Sequence, residues 1–310
     1  MRNYYFVFLA RKLLEVGVSL LTLSLLTFAL LKALPGGPFD DEMTLNSVVK
    51  AELTQYWQAD APWYSQAVTY LGHLAQGDLG VSMLRPDRTV AEIISSGLGN
   101  TLKLNSIALG IIIFGALLIS VLSMRFRGKA LESFLDQSIL CLLSLPSLFW
   151  GPLLIYLFGF HWNLLPTALL QTPLHYVLPV LTLSLRPLAS LVRLLKNSMN
   201  DNYHLDYVRT AKAKGVSEWG ILTRHVLKNS LIPFLSYLGP LTVSLLSGSF
   251  LVEVLFAVPG LGTEFISALN DRDYTLIMGL TLFYGFMLIV VNLFIDLLLK
   301  VVDPRLREEA

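Results

Sequence analysis

Long apolar runs separated by short polar segments dominate the chain, and six of these runs are long enough to cross a lipid bilayer. A spanning helix needs about 20 predominantly apolar residues to cross roughly 30 Å of hydrocarbon. Pro146 and Pro152 interrupt the third run and predict kinks, because proline removes a helical hydrogen bond. The pattern therefore predicts an all-α, polytopic membrane protein with six transmembrane helices. The runs cover residues 13–34, 102–124, 134–160, 174–195, 231–256 and 276–301.

Composition agrees with the membrane class and excludes several others. Of the 310 residues, 54% are hydrophobic and only 15% are charged, whereas a soluble domain carries about 25% charged residues. The net charge of +1 gives no reason to expect nucleic acid as a partner. The single cysteine, Cys141, excludes an intrachain disulfide and a cysteine-based metal site. The first run is too long for a signal-peptide core and lacks a small-x-small cleavage site, so we interpret it as a span.

Lys and Arg predict the orientation of the spans. Sixteen of them lie in the two terminal segments and in the connections after the second and fourth runs, and five lie in the alternate connections. Because basic residues concentrate on the cytoplasmic side, both termini are predicted to be cytoplasmic. Residues 35–100 are then an extracytoplasmic insertion between the first two helices, and residues 196–230 are a cytoplasmic loop.

The extracytoplasmic insertion is long enough to fold. Asp60 is placed to cap a helix that Pro62 opens, and the segment Gly77-Asp78-Leu79-Gly80 ends it. Apolar side chains repeat at helical spacing between these signals and form an amphipathic stripe. This helix is either a lid on the outer ends of the spans or a surface that docks or guides a ligand, and the two interpretations are compatible. The stripe consists of Trp63, Ala67, Tyr70, Leu71 and Leu74.

The cytoplasmic loop carries signals for two short helices. Asp206 is placed to cap the first helix, and Gly215 to end it in a left-handed conformation. Ser217 is placed to cap the second helix, which would carry Trp219, Leu222 and Val226 along one face. The loop is therefore either a rigid helix–turn–helix projection or a solvated basic loop that only fixes the topology.

Polar residues within the spans are candidates for a translocation path. Arg186 lies near the middle of the fourth span, where an isolated charge must face an aqueous cavity or a partner. In the fifth span Ser236, Ser244 and Ser247 recur among small residues. Such a pattern suits close helix packing or the wall of a path whose hydroxyls contact a passing substrate weakly.

The sequence carries no recognisable catalytic or metal-binding motif. A Gly-x-x-x-x-Gly-Lys-[Ser/Thr] phosphate loop is absent, so the chain is not expected to hydrolyse ATP. The motifs His-Glu-x-x-His and Gly-x-Ser-x-Gly are absent as well, and the five histidines are scattered. We expect a protein that is not an enzyme and binds neither a metal nor a cofactor.

Six stretches in register resemble one protein family. RTAKAKG at 209–215, continued by ILTRHVLKNSLIPFLSYLGP, resembles the EAA motif of binding-protein-dependent ABC importers in its peptide-importer form, with Arg-Thr-Ala in place of Glu-Ala-Ala. The chain is similar over essentially its whole length to the first membrane subunit of bacterial oligopeptide and dipeptide permeases. The other stretches are LPGGPF, YLGHLAQGDLGVS, SGSFLVEVLFAVPGLG, LNDRDYTLIMGL and NLFIDLLLKVVDPRLRE.

The resemblance implies a single permease domain over 1–310, with the type I ABC importer fold, in the bacterial inner membrane. The loop 196–230 would be a coupling helix that docks on an ATPase subunit. The resemblance places that role on Arg209, Thr210, Ala211, Lys212, Ala213, Lys214, Gly215 and Pro233.

The implied partners are a second homologous permease, two cytoplasmic ATPase subunits that bind ATP and Mg, and an extracytoplasmic peptide-binding protein. Import of a peptide would proceed by alternating access driven by ATP hydrolysis in the partner subunits. Alternatives are another cargo on the same architecture (a nickel chelate, glutathione or an antimicrobial peptide) and an ion-conducting channel. A channel should show a filter-like loop or a ring of charges, and neither stands out in the sequence.

Overall fold

The computed structural model describes residues 2–33 and 63–302, and almost all of the regular structure in these ranges is helical. Asp60 and Pro62, which are predicted to start the extracytoplasmic helix, lie outside the described residues. Short 3-10 or π-helical turns join the α-helices in three places, and each continuous stretch carries one label here. The helices are α1 (Arg2–Ala33), α2 (Trp63–Ala75), α3 (Val90–Arg125), α4 (Ala130–Ser144), α5 (Ser147–His161), α6 (Pro173–Tyr203), α7 (Asp206–Ala213), α8 (Glu218–Leu255), α9 (Leu261–Asn270) and α10 (Tyr274–Val302).

Five of the described helices are long and apolar enough to cross a membrane, namely α1, α3, α6, α8 and α10. The pair α4 and α5 makes a sixth span if it is counted as one, although its two halves are bent by 102°. The bend lies at Leu145 and Pro146, both of which have extended ψ angles, because a residue before proline avoids the helical region. Pro152 stays inside α5 and is followed by a π-helical turn over Ile155–His161. The predicted kink is therefore a sharp break at Pro146.

The chain divides into two compact units. The first contains residues 1–99 and 260–290, and the second contains residues 100–259 and 291–310. The boundaries fall inside α3 and α10, so each of these helices contributes to both units.

In the first unit, Asp273 fastens the segment after α2 to the start of α10. The Asp273 carboxylate accepts hydrogen bonds from the Ser82 hydroxyl and from the backbone N–H groups of Met83 (3.2 Å) and Leu276 (3.0 Å). The bond to Leu276 makes Asp273 the N-cap of α10. Both Asp273 and Ser82 are buried. Arg85 Nη2 lies 2.6 Å from Glu264 Oε2, and this bond raises the pKa of Arg85.

The helix α2 confirms the predicted amphipathic element between the first two spans. It ends at Ala75, and Gly77 and Gly80 follow it with φ angles of +78° and +84°. Of the predicted stripe, Tyr70 is buried, and Leu71 and Leu74 are half-buried. The side chains of Trp63 and Ala67 lie outside the described set. The lid and docking interpretations of this segment stay predictions.

In the second unit, α6 is the central helix. It packs against α4, α5 and α8, and Leu191 and Leu195, one helical turn apart, are fully buried in the core. Lys196 Nζ holds α4 in place through Glu132 Oε1 (2.8 Å) and Asp136 Oδ1 (2.7 Å). The helices before and after residues 204–217, which are α6 and α8, therefore pack directly against each other in this unit.

Candidate functional site

Residues 204–220 connect α6 to α8 and include the first residues of α8. They form an ordered, largely helical segment, which we call the coupling segment. Gly215 has a φ of +78° and ends α7, as predicted. Its N–H donates to Lys212 O (3.0 Å), and the N–H of Val216 donates to Ala211 O (3.2 Å). This pair of bonds is a Schellman motif, which a left-handed glycine makes possible. Ser217 Oγ then accepts from Gly220 N (3.2 Å) and caps the next helix, also as predicted.

Three details of the predicted segment are wrong. Asp206 is the first helical residue of α7, and the N-cap is Leu205, which makes no side-chain cap bond. Ala211 was expected to face a partner, but it is buried with Val208 on the inner face of α7. Small and β-branched side chains one turn apart give the helix an apolar face that packs against the core of the protein. Trp219 does not share a face with Leu222 and Val226, since it is 53% exposed and they are buried.

Six of the predicted coupling residues share the exposed surface of the segment, and two do not. The two that do not are Ala211, which is buried, and Pro233, which lies inside α8, well beyond the segment. Trp219, which was predicted to share a face with Leu222 and Val226, adds a large aromatic side chain to the exposed surface. The exposed residues are Arg209, Thr210, Lys212, Ala213, Lys214 and Gly215.

Tyr203 links the coupling segment to the rest of the second unit. Its hydroxyl accepts a hydrogen bond from Lys212 Nζ (2.8 Å) and donates to Glu218 Oε1 (3.1 Å). Lys212 Nζ also lies 4.1 Å from the centre of the Tyr203 ring, and Arg127 Cζ lies 5.7 Å from it. Tyr203 thus joins the end of α6 to α7, to the start of α8 and to the α3–α4 connection.

A second polar cluster ties α6 directly to α8. Asn202 Nδ2 donates to Ser198 O (2.9 Å) and to Ser230 Oγ (3.2 Å), and Asn202 Oδ1 accepts from the Tyr207 hydroxyl (3.2 Å). Ser230 is fully buried in α8. Tyr207 of the coupling segment is therefore linked through Asn202 to both α6 and α8.

A cavity of about 360 Å³ lies between α5, α6 and α8 in the second unit. Arg186 and Ser244 line it, as does Ser190 one turn further along α6 from Arg186. Ser236 and Ser247 lie outside this cavity, and their hydroxyls donate to carbonyls of their own helix, each at 3.1 Å. Their role in a path stays a prediction.

The guanidinium of Arg186 is exposed at this cavity and forms no hydrogen bond or ion pair with any described residue. Besides Ser244, the other polar side chains of the lining are Ser147, Thr182, Ser190 and Tyr237. Thr182 and Ser190 stand one turn on either side of Arg186, a spacing that the sequence displays but that our sequence interpretation did not use. The cavity therefore has one cationic side chain, with uncharged polar and apolar side chains around it.

Comparison with known proteins places these features in a family. Residues 105–308 match the family model described as "Binding-protein-dependent transport system inner membrane component". The chain is 34% identical to the dipeptide transport system permease protein DppB of Bacillus subtilis, over 97% of each chain. It is 31% identical to the oligopeptide transport system permease protein OppB of Escherichia coli K12, over 97% of this chain and 99% of that protein.

Solved structures agree with the fold. An inward-facing structure of the MetNI methionine ABC transporter superposes with a TM-score of 0.57 at 15% identity, covering 68% of this chain and 96% of that chain. An amino acid ABC transporter crystallised with histidines gives a TM-score of 0.54 at 19% identity, covering 67% and 93%. The predicted ABC importer permease fold is confirmed. On the family match and the near-complete similarity to these relatives, the chain belongs to the multi-pass inner membrane components of binding-protein-dependent transport systems.

Proposed function

We propose that this chain is one of two homologous permease subunits of an ATP-driven importer that carries peptides inward. The observation that supports it best is geometric. The coupling segment and the cavity are built on the same two helices, α6 and α8, and Tyr203 and Asn202 lock the segment to them. A partner that moves the segment therefore moves the walls of the cavity, which is what alternating access requires.

The division of labour among subunits is part of the proposal. Two cytoplasmic ATPase subunits bind ATP and Mg and grip the exposed, basic face of the coupling segment. An extracytoplasmic peptide-binding protein delivers the cargo. This chain itself is non-catalytic and binds no cofactor, and both of its termini are cytoplasmic. The names of the relatives, dipeptide and oligopeptide permeases, favour peptide as the cargo class.

Transport by the complete complex tests the proposal. The chain is co-reconstituted in proteoliposomes with its sister permease, the ATPase subunits and the loaded binding protein, and uptake of a labelled tripeptide is measured with ATP in the compartment that holds the ATPases. We expect accumulation that stops when ATP is replaced by a non-hydrolysable analogue. Uptake of a labelled nickel chelate or of labelled glutathione, with no uptake of the tripeptide, would assign another cargo. Flux without ATP would indicate a channel.

A further inference from the structure

Among the described residues that line the cavity between α5, α6 and α8, Arg186 is the one cationic side chain, and none carries a carboxylate. Arg186 lies near the middle of α6, and its guanidinium is not paired with any described residue. An arginine cannot lose its charge at physiological pH. Its position in an apolar span is tolerable only if water, an anion or a polar partner meets it.

The surroundings of Arg186 define the kind of anion that fits. Ser190 and Ser244 offer hydroxyls, and Tyr237 offers a phenol, on the walls around the guanidinium. Hydroxyls donate to anions and accept from amides, so they suit the end of a peptide chain. The planar fork of arginine matches a carboxylate in two parallel hydrogen bonds.

We infer that Arg186 is the site at which the C-terminal carboxylate of the peptide is held as it passes through this subunit. This inference rests on the proposed function and names the part of the cargo that the cavity recognises. A C-terminal carboxylate occurs in every unmodified linear peptide, so one arginine serves cargo of any sequence. The cavity of about 360 Å³ is at the small end of ligand pockets, which span about 300–1,000 Å³, and it suits one chain end better than a whole peptide.

The test compares peptides that differ only at the chain end. Uptake of tri-alanine, tri-alanine amide and Ala-Glu-Ala amide is measured in the reconstituted complex, for the wild-type chain and for Arg186→Gln. The variant-to-wild-type ratio is taken separately for each peptide, so that any preference of the binding protein cancels. We expect the ratio to fall about tenfold for tri-alanine, because a charge-assisted pair of hydrogen bonds is lost, and less than about twofold for tri-alanine amide.

The third peptide separates two sources of a carboxylate. If Ala-Glu-Ala amide behaves like tri-alanine, the site recognises side-chain carboxylates as well, and the assignment to the C-terminus is wrong. Arg186→Lys should recover part of the tri-alanine uptake, since it keeps the charge but not the fork. Arg193→Gln is the matched control, because Arg193 is exposed two turns along the same helix but does not line the cavity.

A second measurement removes the binding protein altogether. Saturation-transfer NMR on the detergent-purified complex should show contact with tri-alanine above that with its amide in the wild type, and no difference in Arg186→Gln. Equal loss of uptake for all three peptides would overturn the inference and assign Arg186 to pairing within the complex. If the wild-type complex transports none of the peptides, the proposed function itself fails, and the two failures are thus distinguishable.

Discussion

At the scale of single residues, Gly215 is the position where backbone conformation decides the shape of the coupling segment. Its φ of +78° strains any residue with a side chain, and apart from its chain neighbours no described residue has an atom within 4 Å of where a Cβ would stand. Within this chain, substitution therefore acts through backbone conformation and not through a steric clash. Gly215→Val should disfavour the native turn by about 1–2 kcal/mol, redirect α8's first turn and reduce peptide-stimulated ATP hydrolysis by the complete complex.

Gly215→Asn provides the control for this prediction. Asparagine tolerates the left-handed region much better than valine, and both side chains would point into open space. Stimulated ATP hydrolysis should therefore stay near the wild-type level in Gly215→Asn while it falls in Gly215→Val. An equal loss in both variants would show that the surface at Gly215, rather than its φ angle, is what matters.

Asp273 is the second residue whose removal should have a large effect. It is buried and satisfies Ser82, Met83 and the start of α10 at once. Asp273→Ala leaves these donors without an acceptor and removes an N-cap, which should destabilise the purified protein by about 2–4 kcal/mol. The thermal unfolding midpoint in detergent measures this. Asp271→Ala, at an exposed carboxylate close by, should leave the midpoint almost unchanged.

At the scale of elements, Tyr203 at the end of α6 bonds to both α7 and α8. Tyr203→Phe removes the hydroxyl that joins Lys212 to Glu218, at about 1 kcal/mol of stabilisation, but keeps the ring that contacts Lys212 and Arg127. We expect an assembled complex in which the number of peptides transported per ATP hydrolysed falls about two- to fivefold. In Tyr203→Leu, which also removes the ring, the number of peptides transported per ATP should fall further.

The matched control is Tyr156→Phe. Tyr156 is an exposed tyrosine of α5 whose hydroxyl makes no hydrogen bond with the described residues. Its loss should leave the transport-to-hydrolysis ratio unchanged. If Tyr203→Phe is also unchanged, the segment is held by packing of Val208 and Ala211, and the Tyr203 contacts are incidental.

The elements that the sequence predicts well are those whose causes are local. Gly215 and Ser217 act on groups within a few residues, so their roles in the coupling segment follow from position and residue type alone. Pro146 likewise breaks its helix through its immediate neighbour. Tyr203 and Asp273 are different, because Arg127 and Ser82 are distant in the chain and only the fold brings them together. The three-residue spacing between Val208 and Ala211 indicates that both lie on one apolar face of the helix. The prediction instead followed the charged residues around Ala211 and placed it on the exposed surface.

At the scale of the whole molecule, the bent pair α4–α5 decides the topology. If the pair crosses the membrane, the connections at 126–129 and 162–172 lie on opposite sides, and the coupling segment is on the same side as the first of them. If the pair instead returns to the side it entered from, every later connection changes side. The basic residues of the coupling segment, Arg209, Lys212 and Lys214, favour the crossing, because it places them with Arg125 and Arg127 on the cytoplasmic side.

Single-cysteine labelling distinguishes these two arrangements. The exposed Cys141 is first replaced by serine, and cysteines are then introduced one at a time as Lys129→Cys, Gln171→Cys, Lys214→Cys and Trp57→Cys, the last in the part of the chain outside the described residues. A membrane-impermeant maleimide added to intact cells should label Gln171→Cys and Trp57→Cys. It should label Lys129→Cys and Lys214→Cys only after lysis. A re-entrant pair would exchange the results for Gln171→Cys and Lys214→Cys while leaving the other two unchanged. In that arrangement the coupling segment would face away from cytoplasmic ATPases, so the same four variants test the geometric basis of the proposed function.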